Sequence, residues 1–207
     1  MYGGGIDSYA MLLEVLRQGL HPTLFYVRMG HKAQQAEIER TVRTAQRHRL
    51  GHVEFIDCDV LASTKHSLFA GTTATPDQHA LDFVPNRNML LASLGAAYGA
   101  SVGIPLIAFA FNAGFSFPDA THNFIYALNV VMRVTDSLTR FTMPLKGWSQ
   151  DRIARRVYDD LGSLDEVNKY VWSCYQAPDH DDNPCGRCTH CHRNNTLYNR
   201  ILQRTQS

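Results

Sequence analysis

Three consecutive glycines running into Ile6, Asp7 and Ser8 open the chain. A turn of this kind presents backbone N–H groups that no side chain crowds. A helix expected directly after it, over 8–18, aims the positive end of its dipole at the same point, and Ser8 is placed to cap that helix or to offer its hydroxyl. Gly3, Gly4, Gly5, Ile6, Asp7 and Ser8 therefore read as a cradle for an anion, with pyrophosphate the natural occupant. A flexible glycine tail is the plainer alternative. No Gly-Lys-Ser/Thr follows and the G-x-G-x-x-G spacing is absent, so this is neither a Walker loop nor a dinucleotide fingerprint.

The second chemical signal lies at the other end. Cys174 is followed after ten residues by Cys185-Gly186-Arg187-Cys188-Thr189-His190-Cys191. Four sulfurs at this spacing favour a closed tetrahedral zinc site with Cys174, Cys185, Cys188 and Cys191 as ligands. Two disulfides or an iron–sulfur cluster are the alternatives, and His180, His190 and His192 are spare donors. A structural zinc contributes folding energy, so it should staple the tail and stand outside the chemistry.

Between the two signals, Phe83-Val84-Pro85-Asn86-Arg87-Asn88 leads into an alanine-rich helical stretch. Asn88 reads as its N-cap, and Arg87 would stand at the helix start near the carboxyl ends of the strands, where open α/β sheets bind ligands. A strand over 104–111 delivers Asn112 to Asp119 to the same crevice. Its aromatic residues, Phe117 among them, can sandwich a planar heterocycle, and Asp119 can accept from a guanine-like N–H edge. A surface arginine and a turn with core aromatics are the bland readings of these two passages.

The elements that must carry these groups alternate. Strands are expected over 23–27, 53–56, 104–111 and 141–145, with helices over 8–18, 33–49, 89–99, 123–133 and 149–161. Such alternation without hairpin signals predicts an α/β fold, a Rossmann-like open parallel sheet with helices on both faces, plus a small C-terminal zinc-bound segment. Residues 1–165 form the nucleotide-binding domain in this reading and 166–207 the zinc segment packed on it. The stretch 65–78 shows no clear period and reads as a surface excursion, with His66 and His79 as polar surface.

With 207 residues, 44% of them hydrophobic, the chain can bury a proper core. Twenty lysines and arginines against 19 acids give a net charge of +1, which makes no global case for nucleic acid or membrane binding. The absence of a long apolar run or a signal peptide suits a cytoplasmic protein.

The opening loop resembles the SGGxDS motif of the PP-loop ATP pyrophosphatases, with Gly4, Gly5, Asp7 and Ser8 matching and Gly3 in place of the leading serine. In that family a buried strand feeds the loop, whereas here only Met1 and Tyr2 precede it, which raises the expectation of a missing N-terminal segment. Val84-Pro85-Asn86-Arg87-Asn88 is similar to the V-P-x-R-N segment of one branch, the 7-cyano-7-deazaguanine synthases. Phe117-Pro118-Asp119 is similar to that branch's Tyr-Pro-Asp. Trp172-Ser173-Cys174-Tyr175 and the Cys185–Cys191 run resemble its T-W-S-C-Y and C-G-x-C-x-x-C elements. Ser116 and Ala120 depart from its glycine and cysteine, and Gln150 stands where it usually carries a lysine that Lys146 could replace only if the loop bends.

The resemblance implies a ligase that uses ATP to adenylate 7-carboxy-7-deazaguanine, lets ammonia displace AMP, and dehydrates the amide to the nitrile. It implies ATP and Mg²⁺ at Gly3 to Ser8, with Asp7 helping to coordinate Mg²⁺, Arg87 near the α-phosphate or the substrate carboxylate, and a homodimer. Two rivals stay open: a related PP-loop ligase acting on a different acid, and a zinc-stapled nucleotide-binding module without catalysis.

Overall fold

The computed structural model describes residues 1–63, 68–69, 83–112, 114, 117–135, 137–176 and 183–205. Among these, seven α-helices and four short strands alternate: α1 (Ile6–Arg17), β1 (Phe25–Arg28), α2 (Gln34–Arg47), β2 (Glu54–Asp57), α3 (Arg87–Val102), β3 (Leu106–Ala108), α4 (His122–Val134), β4 (Arg140–Thr142), α5 (Gln150–Leu161), α6 (Leu164–Tyr170) and α7 (Thr189–Thr205). His66, His79, Ala113, Phe115, Ser116 and His180 lie outside the described residues.

Every strand pairing is parallel. β1 runs beside β2 with Phe25 opposite Glu54, and β3 beside β4 with Leu106 opposite Arg140. The two pairs are joined by the first two residues: the Tyr2 amide donates to Phe25 O at 2.9 Å and the Met1 nitrogen to Ala108 O at 2.8 Å. Met1 and Tyr2 thus lie between β1 and β3 and deliver the chain directly into the glycine loop. At the amino-terminal ends of β1 and β3 an apolar cavity of about 570 Å³ is lined by Met1, Tyr2, Leu24, Ile104 and Leu106.

Alternation along the strands sends side chains to opposite faces, and helices cover both. Phe25 and Val27 pack with Leu91, Leu94 and Tyr98 of α3, while Leu24 packs with Leu12 of α1 and Ala45 of α2. Ile107 and Phe109 meet α3 and α4 in one cluster, whereas Ala108 and Ala110 touch the opposite one. That opposite cluster contains Ile6, Tyr9 and Leu13 of α1 and Ile153, Ala154 and Val157 of α5, together with Leu197 and Ile201 of α7. The last helix is therefore part of the main core.

Three local features differ from the sequence reading. Helix α3 starts at Arg87, with Asn86 as N-cap in the left-handed region at φ 60°. Asn tolerates that conformation, and Asn88 is instead held by Asp119: its amide donates to Asp119 Oδ2 at 3.4 Å and its side chain to Asp119 O at 3.0 Å. Helix α1 starts at Ile6 with Gly5 as N-cap, so Ser8 sits inside the first turn, where its Oγ accepts from the Gly3 amide at 3.0 Å. Within the stretch read as a surface excursion, Leu68 and Phe69 are buried against Phe25 and Val27. Ser149 does cap α5, accepting from the Arg152 amide at 3.2 Å.

Candidate active site at the glycine-rich loop

The loop is fixed from two sides. Gly4 has φ +66°, and a Cβ built on it would lie 2.9 Å from both Cα and O of Glu37. Only glycine fits there. The Gly4 carbonyl accepts from the Trp172 amide at 2.8 Å, and the Ile6 amide donates to Ser173 Oγ at 3.4 Å. The segment just before Cys174 is thereby tied to the loop. Gly4→Ala should lose about 1–2 kcal/mol of stability to the left-handed backbone alone, before the clash with α2 is added, and should weaken anion binding. A chemical denaturation curve and a pyrophosphate titration check both effects.

Asp7 stands in the first turn of α1, where a negative charge complements the helix dipole. Its Oδ1 accepts from Asn112 Nδ2 at 2.9 Å and from Gln150 Nε2 at 3.5 Å. Asn112 Oδ1 in turn accepts from Gln150 Nε2 at 2.8 Å and from the Gly114 amide at 2.8 Å. Burial pushes the Asp7 carboxyl above its ordinary value, opposed by the Arg193 charge and by the Gln150 and Asn112 hydrogen bonds. Gln150 occupies the place beside Asp7 as a neutral amide, and Lys146 is exposed.

A cavity of about 240 Å³ opens over this loop, lined by Gly3, Gly5, Ile6, Asp7 and Ser8 from one end of the chain, Arg87 from the start of α3, and Trp172, Ser173, Tyr175, His190 and Arg193 from the other end. Tyr26, Phe109 and Phe111 add aromatic walls. Phe117 and Asp119 are not among the lining residues: Phe117 stacks on Phe83 with centroids 5.3 Å apart, and Asp119 is engaged with Asn88. Ala120 is buried with Ala92, Ala96 and Ile125 in the core.

Sequence reasoning missed one cluster in this cavity. Tyr26 donates to Glu37 Oε2 at 2.8 Å, and His31 Nε2 lies 3.0 Å from the same oxygen. His31 is buried, and its Nδ1 has no hydrogen-bond partner among the described residues. The cluster sits at the carboxyl end of β1, where open α/β sheets gather ligands. That rule, applied to β1 as it was to Arg87, would have pointed to His31.

The four cysteines converge. The Sγ atoms of Cys174, Cys185, Cys188 and Cys191 all lie within 4.8 Å of one another, with Cys174 to Cys188 and Cys185 to Cys191 both at 3.9 Å. Tetrahedral zinc with Zn–S bonds of about 2.3 Å requires S···S separations of about 3.8 Å, so the set fits such an ion. The amides of Gln176 and Cys185 donate to Cys174 Sγ at 3.3 and 3.4 Å, as the outer shell of a metal thiolate does. Hydrogen bonds from the thiols of Cys174 and Cys191 hold Cys188 well below the ordinary thiol value. A metal held by all four would have no open position left, which is the arrangement of a structural site. Cys58 is free and remote in sequence.

A parallel α/β sheet, a glycine-rich loop feeding the first helix at its carboxyl edge, and a cysteine cluster tied to that loop define an α/β protein whose four cysteines could hold a metal. The family model described as "Queuosine biosynthesis protein QueC" matches residues 1–202, and the chain belongs to that family. Three similar proteins are each named 7-cyano-7-deazaguanine synthase. That of Marinomonas sp. (strain MWYL1) is 25% identical over 198 residues, covering 91% of this chain and 88% of its own length. That of Chromohalobacter salexigens is 27% identical over 206 residues, at 91% and 77% coverage, and that of Methanococcus maripaludis (strain C7) is 27% identical over 207 residues, at 92% and 88%. The family is one of enzymes. No helix among the described residues is long and apolar enough to cross a membrane.

Proposed function

We propose that this chain is an ATP-dependent carbon–nitrogen ligase that converts 7-carboxy-7-deazaguanine and ammonia to 7-cyano-7-deazaguanine through adenylated intermediates. The observation that carries the reading is the cavity of about 240 Å³ in which the glycine loop, Asp7 and Arg87 meet aromatic walls, in a chain of the QueC family.

In this mechanism a carboxylate oxygen attacks the α-phosphorus of ATP and pyrophosphate leaves. Ammonia then displaces AMP to give the amide. The amide oxygen attacks the α-phosphorus of a second ATP, pyrophosphate leaves, and loss of AMP and both amide protons gives the nitrile. No nucleophilic side chain is needed, so the protein contributes positioning and charge stabilisation. Backbone N–H groups of Gly3 to Ser8 hold the β and γ phosphates. Asp7 would hold Mg²⁺, which neutralises phosphate charge. The Arg87 guanidinium suits either the α-phosphate or the substrate carboxylate. Cys174, Cys185, Cys188 and Cys191 would hold Zn²⁺ as a staple.

Mass spectrometry of the zinc-loaded protein with ATP, Mg²⁺, ammonium and the deazapurine acid should find AMP together with amide and then nitrile. AMP formed only with some other acid would point to a ligase of different substrate. No AMP with any acid, from folded protein, would favour a nucleotide-binding module.

A further inference from the structure

We propose that Arg193, carried on α7 two residues beyond Cys191, the last of the four cysteines, is a phosphate-binding cation of the glycine loop, and that a metal held by the thiolates thereby sets the loop's affinity for a nucleoside triphosphate. This rests on the ATP-dependent reading above and adds a charged link between two sites already joined through the backbone at Trp172 and Gly4.

A triphosphate brings three or four negative charges into a cavity that already holds the Asp7 and Glu37 carboxylates. Countercharge has to come from the walls as well as from a divalent ion. Among the described residues no lysine lines the cavity, and its guanidiniums are Arg87 and Arg193. The start of α5, which faces Asp7, offers only the neutral Gln150 amide.

Among the described residues, Arg193 is the cation on the Asp7 side of this cavity. Its Nη2 lies 4.0 Å from Asp7 Oδ2, too far for a hydrogen bond, and 3.3 Å from His190 Nδ1. Its Nε is shielded from solvent and has no acceptor among the described residues. A shielded guanidinium donor without an acceptor is costly to maintain, and a phosphate oxygen in the adjacent cradle supplies that acceptor in the planar geometry arginine favours.

The position of this side chain depends on the metal site. Arg193 lies two residues beyond Cys191, near the start of α7. Toward its far end the helix is anchored in the core through Leu197 and Ile201. Its beginning packs through Cys188 and Cys191 against Ala33, Ala36 and Trp172. When the thiolates are not drawn together, nothing comparable fixes the first turns of α7.

The test is calorimetric titration of the zinc-loaded full chain with Mg²⁺ and α,β-methylene-ATP. Arg193→Met keeps the apolar stem and should raise Kd about 10- to 100-fold, the range for losing a charged hydrogen bond, with zinc content and thermal midpoint unchanged. Arg193→Lys should recover part of that loss. Chelation should weaken the unaltered protein by at least that factor and Arg193→Met by less, because part of the loss is the same interaction. Unchanged affinity in folded Arg193→Met would overturn the proposal alone. Equal loss on chelation in both proteins would overturn the link to the metal. No binding by the unaltered protein at millimolar analogue would overturn the ATP-dependent reading itself, and Arg193 with it.

Discussion

Asp7→Asn should lower turnover about 100- to 1,000-fold while making the protein more stable. The two effects share a cause. Asp7 is desolvated, and its folded pKa is raised above the unfolded value. A carboxyl of that kind binds its proton more tightly in the folded state, so stability is greatest at low pH and is lost as pH rises through the raised folded value. Asparagine keeps the shape and the Asn112 neighbourhood and removes the buried charge, so the melting temperature of Asp7→Asn should exceed that of the unaltered protein above that pH, and the two should converge in acid. Turnover runs the opposite way, because the ionised form is the one that can hold a divalent ion. The acid limb of kcat/KM should therefore stand above the ordinary carboxylate range. Paired thermal scans and pH–rate profiles check both signs. A variant that is active, or that melts lower at neutral pH, would place the role of Asp7 elsewhere.

Removing the metal should have the other large effect. The thiolate cluster holds the start of α7 and the extended residues that carry Trp172 to the glycine loop. Arg40 of α2, itself buried, lies over the Trp172 ring at 4.8 Å. Chelation should thus loosen the tail, α2 and the loop together. Structural zinc in small peptides contributes about 10–16 kcal/mol; here the core clusters of α1 and α5 persist, and we expect about 4 kcal/mol to be lost, roughly 8–16 °C for a chain of this size. Calorimetry before and after chelation measures it. Cys188→Ser should reproduce the loss, and Cys58→Ser should not. An unchanged midpoint after complete metal removal would show that the cluster does not staple the fold.

Much of this was legible in residues. The glycine run, the alternation of strands and helices, Ser149 as a cap and the converging cysteines each announce themselves through local chemistry at short spacing. Helix α6 was missed although Ser163, Asp165 and Glu166 mark its start; seven residues carry too little period. Helix α7 is weakly marked in the sequence because its first turns carry cysteine ligands and only Leu197 and Ile201 beyond them supply an apolar face. Asn88 was taken for the α3 cap because the carboxylate that occupies its amide, Asp119, is 31 residues away. The Arg193–Asp7 approach and the Trp172–Gly4 bond join residues at opposite ends of the chain, and no local pattern encodes such pairs. His31 was within reach, since its place just past the carboxyl end of β1 follows from the topology, whereas Glu37 joins it from the first turn of α2.

In the proposed reaction a carboxylate oxygen of the substrate attacks the α-phosphorus of ATP. The most direct measurement supplies 7-carboxy-7-deazaguanine labelled with ¹⁸O at both carboxylate oxygens, with Mg²⁺, ATP and ammonium, and follows the label. Adenylation of the acid and then of the amide predicts AMP carrying one ¹⁸O in each molecule formed, and a nitrile free of label. Unlabelled AMP, or ADP with the label in orthophosphate, would contradict it.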